Sequence, residues 1–282
     1  MKFLSVVLAL SCFAHATVVA TLGAKDGLVM AADGMALSQQ ANPSHRILSI
    51  KEASLPKIAI CGGRFVCGMA GQNPLHINKS GRKVEYEFEH WVSTLAGGTH
   101  ATSPLEFSNL IQKQARITFR EMNFFLRTEP YWNGNYAPDS LVRFQVIGYS
   151  GETPQVCFID LKVDKSIHRL IYSHPECITP QWKSASPTTF VLYPLSMPED
   201  MEKALSAGTL QAHRFSELQP KTIASAATLL SDAPPALHNI VGTAAALIQV
   251  TDEFSPDKAG GETIVGVVRK GVLPTVFKFS KF

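Results

Sequence analysis

The chain has little net charge of either sign. Lys and Arg number 26 and Asp and Glu 23 among 282 residues, a formal +3. No long basic run gathers that excess, so the sequence lacks the electrostatic footprint of a nucleic-acid binder. After the first 16 residues, no stretch approaches the ~20 consecutive apolar residues that a membrane helix needs, so no stable membrane span is expected. Cysteine is scarce, at 5, and neither the cysteines nor the 9 scattered histidines fall at metal-site spacing. No metal or other cofactor is therefore expected. Apolar residues are not scarce. At 45% hydrophobic against 17% charged, the composition is that of a globular chain with a sizeable core.

The first residues carry an export signal. Lys2 supplies a positive start and residues 3–13 an apolar run too short to cross a bilayer. Ala14 and Ala16 then stand in the A-x-A arrangement that signal peptidases recognise. Residues 1–16 are thus read as a signal peptide and 17–282 as a single mature domain, periplasmic or extracellular. A cut after Ala16 would leave Thr17 first, a hydroxyl beside a free α-amine, which is a nucleophile and its base in one residue. Cys12 would leave with the signal. Cys61, Cys67, Cys157 and Cys177 remain for an oxidising compartment, either as buried thiols or in one of three pairings.

From Thr17 onward the pattern is strand-like. Residues 17–23 and 28–32 are short apolar runs around Ala24-Lys25-Asp26-Gly27, an Asp-Gly hairpin signal. The second run is apolar without alternation, which predicts burial on both faces, and Asp33 stands at its end. Residues 45–50, 57–62 and 64–71 read as further strands. Helical spacing takes over in 83–126 and predicts two helices joined at residues 97–100, the second opened by Ser103, Pro104 and Glu106. A second strand set follows at 142–149, 155–161 and 167–173. Residues 175–196 carry no clear pattern beyond a strand candidate at 189–193. Helices are predicted at 198–207, 222–230 and 236–250, then strands at 262–268 and 274–279. The order of strands, helices, strands, helices, strands is α+β, a sheet-on-sheet core covered by helices.

With these elements in place, the stretch T-x-x-x-x-x-G-x-K-D-G-x-V-x-A-A-D from Thr17 to Asp33 resembles the β-type proteasome family of N-terminal-nucleophile (Ntn) hydrolases. Arg46-Ile47-Leu48-Ser49-Ile50 resembles the family's Lys and following strand, Ala70-Gly71-Gln72 its Ala-Gly-Gly-like turn. Asp252-Glu253-Phe254-Ser255, four residues before Gly260-Gly261, resembles its Asp-Ala-Tyr-Ser. The resemblance implies a four-layer αββα sandwich, two antiparallel sheets flanked by helices. It also implies hydrolysis of peptide or other amide bonds.

Its site residues carry over one by one. Thr17 Oγ would attack the carbonyl while its α-amine takes the proton. Asp33 would hold a neighbouring cation, and the Gly71 N–H would donate to the oxyanion. Asp252 and Ser255 would hydrogen-bond around the amine, with Asp257 a competing carboxylate. Arg46 stands where the family has Lys, and arginine does not release a proton at workable pH. Lys51 and Lys57 are substitutes outside the matching register. Three functions follow: a peptide hydrolase, alone or in a simple homo-oligomeric ring, a non-catalytic subunit on the same fold, or a hydrolase of small amides.

Overall fold

The hairpin at the start of the domain sets the rest in place. Val19–Ala24 (β1) and Gly27–Asp33 (β2) pair antiparallel, with Ala24 opposite Gly27. The turn residues are Lys25 and Asp26. Gly27 is already strand, and its bareness is required by Val268 O, which a Cβ there would approach to 2.8 Å. The computed structural model describes residues 18–34, 36–41, 47–52, 56–71, 75–79, 82–95, 98–120, 140–164, 166–167, 169–180, 191–196, 199–256 and 260–282.

β1 and β2 lie inside a five-stranded antiparallel sheet. Val191–Ser196 (β13) pairs on the β1 side, and Thr263–Val268 (β14) then Thr275–Phe279 (β15) follow on the β2 side. The second sheet runs Arg169–Tyr172 (β11), Thr153–Asp164 (β10), Ser140–Ser150 (β9), Phe65–Gly71 (β6) and Ile58–Cys61 (β5), with Glu176–Ile178 (β12) also on β10. Ala36–Ala41 (β3) and Ile47–Glu52 (β4) form a separate hairpin, as do Leu75–Lys79 (β7) and Arg82–Tyr86 (β8).

Period-two alternation sorts the side chains into layers. Val19, Leu28, Met30 and Ala32 of the first sheet face Ile58, Val66, Ala70 and Ile147 of the second in one inter-sheet core. Thr21 Oγ1 donates to Gln145 Oε1 at 2.7 Å across this layer, so the buried polar pair satisfies itself. The other face of the first sheet, with Ala20, Leu22, Val29 and Ala31, packs under Pro235–Phe254 (α5), Leu210–Leu229 (α4) and Glu199–Ala204 (α3). The outer face of the second sheet, with Phe65, Met69 and Phe144, packs under Phe88–Ser93 (α1) and Pro104–Thr118 (α2). This is the expected four-layer αββα, α+β sandwich. β2 is buried along its whole length because both of its faces are core.

Cores of this kind are close-packed, so small residues set distances. A Cβ on Gly68 of β6 would lie 2.2 Å from Met30 Sδ, which means the thioether sits on the glycine where the sheets approach. Trp91 is core, in contact with Phe119 and Phe144.

Several expected boundaries move. Val84 lies on β8, not on a helix, and α1 begins only at Phe88. Lys79 pairs with Arg82 across Ser80-Gly81, a turn signal masked by the helical spacing of later residues. α4 runs from Leu210, far earlier than residue 222, and passes through Pro220. That proline lies on the exposed face, where the missing N–H costs least. Residues 36–41, 176–178 and 191–196 supply strands in stretches the sequence pattern left unassigned or only partly placed. α2 is capped as expected, with Ser103 Oγ accepting the Glu106 N–H at 3.2 Å. The cysteines pair. Cys157 stands directly opposite Cys177 on β10 and β12, and Cys61 bonds Cys67 diagonally across the β5–β6 hairpin. Among the described residues no helix is long and apolar enough to cross a membrane.

Candidate functional site

One end of the sandwich gathers the chemistry. Here β1 begins, β2 ends at Asp33, β5 begins just after Lys57, and β6 ends at Gly71. α5 delivers its last turn to the same end, and Gly260 and Gly261 lead into β14.

Asp33 is the centre. Its side chain is fully buried, yet its carboxylate is well supplied with donors. Oδ1 accepts from the Val18 N–H at 2.8 Å and from Lys57 Nζ at 2.8 Å, and Oδ2 accepts from the Gly260 N–H at 3.3 Å. The Asp33 N–H returns a bond to the Val18 carbonyl at 3.2 Å, so Asp33 grips the start of β1 from both sides of one residue. Lys57 is as deeply buried, at 1% exposure. Its carbonyl accepts from the Met69 N–H at 3.0 Å, which ties the lysine to β6 two residues before Gly71.

Burial acts on both members of this pair. It pushes the Lys57 ammonium below its ordinary range, against the opposing pull of Asp33 and Asp252. It also pushes the Asp33 carboxyl up, against Lys57, Val18 and Gly260. The three donors converging on the carboxylate favour the ionised pair, and desolvation, which disfavours both charges, makes the Lys57 proton easier to give up than that of a surface lysine.

Asp252 lies in the last turn of α5, 7% exposed. Neither of its carboxylate oxygens accepts a hydrogen bond among the described residues. Lys281 Nζ stands 3.4 Å from Oδ2, within ion-pair range but out of hydrogen-bond alignment. Burial first, and the charge of Asp33 second, raise the Asp252 pKa to about 7, while Lys281 and Lys57 oppose the shift. Ser255 caps the same helix and is buried; its Oγ–H donates to Asp200 Oδ2 of α3.

Gly71 has φ +111°, a backbone conformation that side-chain-bearing residues rarely adopt, and pairs with Val142 of β9. A glycine is required there by the chain path itself.

The structure therefore brings Asp33, Asp252 and Ser255 to one end of the sandwich, with Gly71 on the facing sheet. The cation on Asp33 is Lys57, which sequence spacing had placed out of register. Thr17, Arg46 and Asp257 lie outside the described residues, and Lys51 is on β4. The signal for Lys57 was present. Lys57-Ile58-Ala59-Ile60 is a cation followed at once by an alternating strand, and that strand hairpins through Gly62-Gly63 into the one ending at Gly71. Asp200 carried no sequence signal, because its partner Ser255 lies 55 residues away.

Fold and site together define a four-layer sandwich with a buried Lys–Asp pair at one end. No family model and no curated protein matches the chain. Among solved structures it is similar to Anbu (ancestral beta-subunit) from Yersinia bercovieri, at 10% identity and TM-score 0.41, over 93% of this chain and 87% of that one. It is also similar to an Anbu (Gly-1) mutant from Hyphomicrobium sp. strain MC1, at 14% identity and TM-score 0.40, over 94% and 87%. Likeness of that order says nothing about chemistry.

Proposed function

We propose that the chain is an exported amide hydrolase that uses Thr17 as nucleophile and the Thr17 α-amine as base, after removal of residues 1–16. The observation that carries this reading is the buried Lys57–Asp33 pair holding the Val18 N–H, because Val18 is joined to Thr17 by one peptide bond. A cation in this position keeps a nearby amine neutral and so able to accept a proton. Lys57, softened by burial, can itself exchange a proton during the reaction. The Thr17 hydroxyl loses its proton to the amine as Oγ bonds to the carbonyl carbon, and the Gly71 N–H takes the oxyanion. The proton then passes to the leaving amine, and water releases the acyl group from Oγ.

A non-catalytic subunit was the natural reading of an arginine beside Asp33; a buried lysine there favours catalysis. Export is supported by the two disulfides, which persist in oxidising compartments. The intact mass of the secreted protein, taken with and without a β-lactone probe, tests the whole reading. The expected result is a chain beginning at Thr17 with a single adduct. Thr17→Ala should abolish the adduct and lower peptide cleavage by about 10³-fold or more. A mature chain starting elsewhere, or an adduct on another residue, sinks it. Comparing peptides with small acyl amides then fixes the substrate class.

A further inference from the structure

We infer that Asp200 is a positioning residue of this site, fixing the direction of the Ser255 hydroxyl so that its oxygen can only accept from the terminal amine. The inference rests on the function proposed above and concerns a residue outside the resembling motifs.

A serine hydroxyl has one proton to give and two lone pairs. In this structure the proton is committed, since Ser255 Oγ–H donates to Asp200 Oδ2. Asp200 is itself held from the other side, with Oδ1 accepting from Gln211 Nε2 of α4 at 3.0 Å. The three side chains form a directed chain in which Gln211 and Ser255 both donate and Asp200 receives. Only acceptor capacity is left on Ser255 Oγ. A hydroxyl free to turn could donate instead to the amine's lone pair, the pair that must take the nucleophile's proton. Asp200 prevents that competition.

Because Gln211 fixes one oxygen, the direction can be reversed without changing shape. In Asp200→Asn the amide oxygen stays with Gln211 Nε2, so Nδ2 faces Ser255 and donates to it. The serine proton is then turned out towards the site. In the double variant Asp200→Asn with Gln211→Glu, the glutamate oxygen takes Nδ2, the amide rotates, and its oxygen again faces Ser255. The original direction returns with both side chains altered.

The test measures kcat and KM on a peptide amide for the three proteins, together with the Ser255 hydroxyl proton by NMR. That proton is slowed in exchange when held by a buried acceptor. Asp200→Asn is expected to lower kcat about 10²-fold while KM changes less than about 3-fold, and the double variant to recover to within about 5-fold of the parent. The hydroxyl signal should be present in the parent, lost in the single variant and regained in the double. A merely structural role for Asp200 predicts a double variant no better than the single one. That outcome, or an unchanged kcat in Asp200→Asn, overturns the inference. If the parent cleaves nothing, the proposed function falls, and the hydroxyl signal alone decides this point: absence in the parent, or persistence in Asp200→Asn, refutes the assigned direction.

Discussion

Two buried carboxylates at the same end of the molecule are treated in opposite ways. Asp33 accepts from two backbone N–H groups and an ammonium. Asp252 accepts no hydrogen bond among the described residues, and its ion-pair contact there is the oblique Lys281. A carboxylate saturated with donors is a fixed part of the frame, since its charge is balanced before any substrate arrives. One left unsatisfied costs stability unless a donor is supplied. Under the proposed function that donor is the terminal amine. On that reading, the contrast separates a group that would build the site from one that would wait for its last component.

The largest blow to this contrast should come from Lys57→Met. Asp33 would keep two backbone donors but lose its counter-charge, leaving a buried anion that typically costs about 3–5 kcal/mol. Denaturant melts should show that loss, and peptide cleavage should disappear. Adding Asp33→Leu should return much of the stability without the activity; if it does not, the ion pair is not what links the two sheets here.

A smaller, pH-dependent effect is expected from Asp252→Asn. The folded-state pKa of Asp252 lies at about 7 against an ordinary aspartate value of 3.8, so it is raised. Its stabilising contribution is present in full below pH ~4 and is lost as pH climbs to ~7 and beyond, because only the unfolded chain ionises in that window. Stability of Asp252→Asn relative to the parent should thus grow between pH 4 and 8, by up to about 4 kcal/mol if the full shift is realised. Melts at both pH values measure it. A flat difference would mean that Asp252 is not desolvated in the folded protein, and the contrast with Asp33 would vanish.

The mildest expected change in stability belongs to Gly71→Ala. With φ at +111° an alanine there is strained by about 1–2 kcal/mol. Cleavage should suffer more than folding if the Gly71 N–H faces the oxyanion. Equal activity at equal stability would remove Gly71 from the site.

Much of this architecture could be read from residue pattern alone, and the reasons differ by element. The β1–β2 hairpin was legible because Asp26-Gly27 and the unbroken apolar run 28–32 are local signals. Asp33 followed from its place at the end of that run. Asp252 and Ser255 were legible as a motif, although α5 carries them on its last turn and cap and not in a loop after residue 250. Lys57 was harder. Arg46-Ile47-Leu48 and Lys57-Ile58-Ala59 fit the same pattern, and only strand pairing decides which stands beside Asp33. β8 was lost because Val84 falls on the helical spacing of Phe88 and Trp91. The cysteine pairing waited on register, which places Cys157 opposite Cys177. Where a feature depends on which strands become neighbours, composition and periodicity have no access to it.

Met30 and Gly68 set the gauge between the two sheets at the end that holds Asp33 and Gly71. Met30 lies three residues before Asp33 on one sheet and Gly68 three before Gly71 on the other, and the sulfur rests where a side chain would otherwise stand. Under the proposed function, the spacing between the group that would anchor the nucleophile's strand and the group that would cradle the oxyanion is thus inherited from a single core contact. Oxidising that thioether, or giving position 68 one methyl, would wedge the jaws apart from behind while leaving every polar residue in place.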